Sequence, residues 1–125
     1  MKKYLLILFV ILVSCDHSIC AKFDSDAKDF GEEFKRVNKK YIEDNEGKLT
    51  DKKMVAGMDS VAKLYFVDKN VILIKRYPNC VKAVSTLNYI KDKISKEELQ
   101  LLLETIPKEL KTDSNYVSVE KFLKN

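Results

Sequence analysis

The chain has 125 residues and a formal net charge of +4, with 46% hydrophobic and 34% charged residues. Three Gly and two Pro exclude a collagen-like chain or a flexible linker, and the apolar content excludes a disordered tail. One His, no Trp and three Cys leave little room for a His-based metal site and limit a disulfide framework to one bridge.

Met1-Lys2-Lys3 precedes an apolar run from Tyr4 to Val13. Two lysines before a short apolar run form the pattern of a secretory signal, and the run is shorter than the roughly 20 residues that span a bilayer. Leu5 to Val13 has no polar face, which argues against a buried amphipathic core helix there. At the end of the run, Leu12-Val13-Ser14-Cys15 resembles the lipobox of bacterial lipoproteins. The resemblance covers residues 1–15 only. It implies lipid transfer to the Cys15 thiol, cleavage before Cys15 and a membrane anchor. Asp16 is similar to an inner-membrane retention signal in enteric bacteria, a rule that other bacteria do not share, so it assigns no leaflet.

A rival reading is ordinary signal-peptidase cleavage near Cys20 or Ala21, which would release a secreted protein. Cleavage after Cys20 leaves a single Cys80, whereas lipidation at Cys15 leaves Cys20 and Cys80, which can pair. The count favours the lipoprotein. The sequence also has no Asn-x-Ser/Thr sequon. The expected organisation is a signal peptide over 1–14, a tether over 15–24 and a helical domain over 25–125.

Phe23, Ala27, Phe30, Phe34, Val37 and Tyr41 recur at steps of three and four, which predicts a helix over about 25–44, ended by Asn45-Glu46-Gly47. Thr50 reads as the N-cap of a second helix, with Asp51 in its first turn and Met54, Met58, Val61 and Tyr65 on its apolar stripe. The β-branched segment Val71-Ile72-Leu73-Ile74 suits either strand or helix. With no second strand to pair with, it reads as helix, interrupted by Pro78.

Val81, Val84, Leu87, Ile90 and Ile94 line a third main helix. Ser95-Lys96-Glu97-Glu98 is a capping box, with Ile94 and Leu99 as its hydrophobic staple. Leu99, Leu102, Leu103, Ile106 and Leu110 form the buried face of a fourth helix, bent near its end by Pro107. Val119, Phe122 and Leu123 suit a short last helix. Tyr65, Phe66, Tyr77, Tyr89 and Tyr116 read as core or core-edge residues, with an interface role kept open. The fold class is therefore all-α, a small bundle of four to five helices.

Catalytic chemistry has few candidates. The single His17 lies in the tether, so no Ser-His-Asp or Cys-His arrangement assembles within the domain. Gly31, Gly47 and Gly57 are dispersed, which excludes a phosphate loop. Asp24, Asp26 and Asp29 suggest the opening of a calcium loop, but Lys28 and Lys35 stand where an EF-hand needs ligands. The acidic pairs Glu32-Glu33, Glu43-Asp44 and Glu97-Glu98 point in diverging directions on helices.

Residues 61–125 hold 12 basic and 8 acidic side chains, a balance of +4, against 9 and 10, a balance of −1, over 22–60. Lys75-Arg76 and Lys91, Lys93 and Lys96 are basic clusters without an aromatic-basic nucleic-acid motif. They read as solvated helix faces or contacts for an anionic partner.

The expectation is a cell-envelope lipoprotein with no cofactor and no metal. It is membrane-associated through Cys15, with Cys20 and Cys80 as the pair available for a bridge and a non-enzymatic domain that binds protein and not nucleic acid. In style it resembles the Lys-rich helical surface lipoproteins of low-GC bacteria such as spirochaetes, which contact host proteins. Alternatives are an envelope immunity or inhibitor protein and a secreted helical effector or apolar-ligand carrier.

Overall fold

The computed structural model describes the backbone from Lys2 and the side chains of residues 18–125. The expected signal segment 1–14, Cys15 and His17 lie outside the residues whose side chains are described. The chain is all-α: α1 (Lys2–Asn45), α2 (Asp51–Lys63), a π-helical turn (Leu64–Asp68), α3 (Lys69–Arg76), α4 (Val81–Ile90), α5 (Lys96–Thr105), a 3-10 turn (Lys108–Leu110) and α6 (Ser114–Lys124). Because α2, the π turn and α3 follow without a break, the bundle is built of five helical rods.

The core is made by the second half of the chain. Leu73, Ile74, Val84, Leu87, Ile90, Leu99, Leu102 and Val119 are almost wholly buried, drawn from α3, α4, α5 and α6. Phe23 is the single fully buried side chain that α1 contributes among its described residues. Helix α6 lies along α4, where Asn88 donates to Asn115 at 2.9 Å and Lys91 donates to Ser118 at 3.0 Å.

Local chemistry explains the boundaries. Gly47 has φ 72°, the left-handed turn that closes α1 without a Cβ penalty. Thr50 and Ser95 cap their helices by accepting from the amides of Lys53 and Glu98. Asp113 does the same for α6 by accepting from the Asn115 amide at 2.8 Å, a cap that the sequence analysis missed. Residue 106 precedes a proline and is extended, so α5 stops at Thr105 instead of running bent to Leu110.

Several expectations need correction. Residues 18–24 are not a tether but part of α1, because Ile19, Cys20 and Phe23 extend the same helical stripe down onto the core. The third main helix ends at Ile90, and residues 91–94 form the turn into α5. The capping box at Ser95 is half-formed: Glu98 turns its carboxylate towards Lys75, 3.8 Å away, and not back to the Ser95 amide. Val81, Tyr89 and Phe66 are exposed, whereas the pattern had placed them at or near the core. Val81 sits in the first turn of α4 and Tyr89 points away from the side on which α6 packs.

Candidate functional site

Between Asp24 and Leu64 no residue is buried. Here α1 and α2 form an antiparallel hairpin that extends away from the core. Its seam holds Phe34, Val37, Tyr41, Met54, Met58 and Val61, all half-buried. Two helices cover only one side of each other, so apolar residues that would be fully enclosed in a larger bundle keep a solvent-facing edge. The seam is tight near its tip. A Cβ on Gly57 would collide with the Tyr41 ring, so glycine there allows the two helices to approach.

At the base of the hairpin lies an aromatic cleft of about 160 Å3, lined by Phe30, Gly31, Phe34, Tyr65 and Phe66 with Ala27, Asn70 and Leu73. The π turn creates it. The Lys69 amide donates to the Leu64 carbonyl, a wider ring than in an α-helix, and the Asn70 side chain donates to the Phe66 carbonyl at 2.8 Å. The extra residue lets Tyr65 and Val67 both turn inward while Phe66 stays 46% exposed. Phe34 meets the Tyr65 and Phe66 rings at centroid distances of 5.7 and 4.9 Å.

The Lys69 Nζ sits 4.8 Å from the Phe30 ring centre and 4.0 Å from a Glu33 oxygen. Burial, with Glu33 close by, raises the Tyr65 phenol above its ordinary pKa. The cleft is smaller than the roughly 300–1,000 Å3 of a small-molecule site, and its walls are rings and one glycine. It fits an apolar side chain.

A second constellation fastens α1 between residues 20 and 26. Cys20 and Cys80 are joined in a disulfide, with their Cα atoms 5.1 Å apart. Beside it, the Asp26 carboxylate accepts from the Tyr77 hydroxyl and the Arg76 guanidinium, both at 2.6 Å. These two hydrogen bonds, Tyr77 first, hold the Asp26 carboxyl below the usual carboxylate range. The same bond from Tyr77 raises the tyrosine. Asp24 pairs with Lys82, and Phe23 packs edge-on against Tyr77. Two of the acids that suggested a calcium loop thus serve as ion-pair partners, Asp26 to the end of α3 and Asp24 to the start of α4.

The other acidic pairs are similarly engaged. Glu32 meets Lys35, Glu43 meets Lys39, and Asp44 meets Lys40 along the outer face of α1. Among the described residues no group of three or more His, Cys, Asp or Glu is placed to hold a metal, and no helix is long and apolar enough to cross a membrane. A wider open groove between α5 and α6, floored by Leu103 and Tyr116, carries Glu104, Glu120, Lys111 and Lys124 on its rim.

The hairpin was legible in the sequence as two apolar stripes. The cleft was not, because a π turn has no sequence signature in the run Leu64 to Asp68. No family model matches the sequence, and no curated protein or solved structure matches it.

Proposed function

We propose that the chain is a cell-envelope lipoprotein, anchored through Cys15, whose helical domain acts by binding protein and not by catalysis. The observation that carries this reading is the disulfide between Cys20 and Cys80. A bridge of this kind persists outside the reducing cytoplasm. It uses two of the three cysteines, and the third is the Cys15 of the lipobox-like run.

The geometry then has a mechanical sense. Cys20 lies five residues after Cys15 and is locked to the core, so the clamp formed by the disulfide and the two ion pairs holds the bundle close to its anchor. From Cys20 to Asn45, α1 rises by about 38 Å at 1.5 Å per residue. The hairpin tip at Gly47 follows two residues after Asn45, at the far end of that rise. A half-buried apolar seam with exposed Val55, Leu64 and Phe66 lies along that hairpin and supports a protein contact there.

Radioactive palmitate fed to the native host tests the anchor. The expected result is label on the wild-type chain and none on Cys15→Ala. A mature amino terminus at Ala21 or Lys22 without label would refute the anchor and favour a secreted protein.

A further inference from the structure

We infer that the turn from α3 into α4, residues 77–81, seats on the headgroup layer of the membrane, with Val81 as its apolar contact. This seat rests on the lipid anchor proposed above and adds the part of the folded domain that meets the lipid.

Ion pairs and the disulfide fix which end of the bundle faces the anchor. Lys69 pairs with Glu33 at the start of α3 and Arg76 with Asp26 at its end, so α3 runs antiparallel to α1. The turn that follows α3 therefore arrives at the level of Cys20. Cys80 is bridged to Cys20 and Lys82 pairs with Asp24, so the first turn of α4 sets out from that level in the same direction as α1. A side chain on a helix leans back towards the helix N-terminus. Val81, the first residue of α4, thus leans towards the anchored end. It is 45% exposed, and of the exposed large apolar side chains it is the one beside the disulfide. Pro78 and the exposed Asn79 precede it.

Spacing puts this end at the lipid. From Cys15 to Cys20 the helix rises by about 7.5 Å, at 1.5 Å per residue. The headgroup region on one side of a bilayer is about 5–7.5 Å thick, half the difference between a hydrocarbon core of about 30 Å and an overall 40–45 Å. Acyl chains on Cys15 enter the hydrocarbon, so the level of the disulfide falls at the outer edge of the headgroups. Any tilt of α1 lowers it into them. The bundle has little freedom to lift away, because the disulfide, Asp26 and Phe23 hold α1 to the core. Even fully extended, the five residues from anchor to clamp reach only about 18 Å.

Charge selects a zwitterionic phospholipid surface over a strongly anionic one. The 3-10 turn shares a groove with Asn79 and belongs to the same end. Over residues 15–24, 77–82 and 107–110 the basic Lys22, Lys82 and Lys108 balance the acidic Asp16, Asp24 and Glu109, 3 − 3 = 0. A neutral end gains little from anionic lipid. Its contact is made by Val81 and Pro78, with the Lys22 stem lying along the surface and its ammonium at the phosphates.

The chain has no Trp, so Val81→Trp supplies a single fluorescent reporter at the seat. Val55→Trp, at a position 55% exposed on α2, supplies one on the hairpin. Each lipidated full chain is reconstituted in phosphatidylcholine vesicles that contain headgroup-spin-labelled lipid. Emission from Val81→Trp should be quenched at least about fivefold more strongly than that from Val55→Trp, and equally at about 0.05 M and about 0.5 M salt. An acid is favoured in the first turn of a helix, so Val81→Asp leaves α4 intact. Added to an Asn79→Trp reporter, it should lower the quenching at least about threefold, because it puts a charge in the contact.

Equal quenching at positions 81 and 55 in palmitate-labelled chain would overturn the seat and leave the anchor standing. Asn79→Trp quenching unchanged by Val81→Asp would do the same. Unlabelled chain that leaves the vesicles would overturn the anchor, and the seat with it.

Discussion

Removing the disulfide by Cys20→Ser with Cys80→Ala should cost about 4 kcal/mol of stability. The bridge spans a sequence separation of 60 residues. By the loop-closure relation, a loop of that length removes about 14 cal/mol/K from the unfolded chain, or about 4 kcal/mol at 298 K. That is a large share of the roughly 5–15 kcal/mol that holds a domain of this size together.

The loss should also be uneven. Without the bridge, residues 18–27 are held by burial of Phe23, worth about 1.5–3 kcal/mol, and by the partial packing of Ile19. The exposed Asp24–Lys82 pair adds about 1 kcal/mol or less, and Asp26 adds its hydrogen bonds from Tyr77 and Arg76. This segment should therefore open locally before the rest of the bundle unfolds. Urea titration followed by circular dichroism reads the global change, and amide exchange at Phe23 and Ala27 reads the local one. A shift below about 1 kcal/mol with an unchanged m value would refute the reasoning, as would two alkylatable thiols in unreduced wild-type protein.

Three further outcomes are expected. Cys15→Ala should leave an unprocessed or soluble form and abolish membrane association; a variant still processed and still in the membrane fraction after a high-salt wash would rule the anchor out. Ser95→Ala should destabilise by about 1 kcal/mol, because the Glu98 amide loses its 3.1 Å acceptor, and an unchanged urea midpoint would show that the cap contributes nothing. Asp26 has a folded pKa below its unfolded value, so its stabilisation is present above the unfolded value of about 3.9 and is lost as pH falls through the folded one. The midpoint difference between wild type and Asp26→Asn should accordingly be full at pH 7 and shrink in acid, and a difference independent of pH would contradict the assignment.

The elements that sequence reasoning located well are those decided by local chemistry. Thr50, Ser95 and Gly47 mark helix ends because each satisfies or redirects backbone within a few residues, and such effects need no tertiary partner. The segment 71–74 became helix because, among the described residues, there is no strand to pair with. The misread elements depend on distant residues. Residues 18–24 looked like a spacer because Ser18, Lys22 and Asp24 are polar, yet the disulfide to Cys80 and the burial of Phe23 make them the docked segment of α1. Glu98 looked like half of a capping box until Lys75, 23 positions away, offered its carboxylate an ion-pair partner.

The same limit explains why the half-covered seam of the hairpin had to come from the fold. A stripe of apolar residues at helical spacing states that a face exists and not what covers it. Leu99, Leu102 and Leu103 on α5 and Phe34, Val37 and Tyr41 on α1 have indistinguishable periodicity, but the first set is buried and the second only half-covered. What separates them is the number of neighbours that the chain provides. Helices α3 to α6 enclose one another, while α2 has no buried residue and packs mainly on α1 and the π turn that continues it. A hairpin with an aromatic cleft at its base therefore keeps an apolar edge that the chain's other helices leave uncovered.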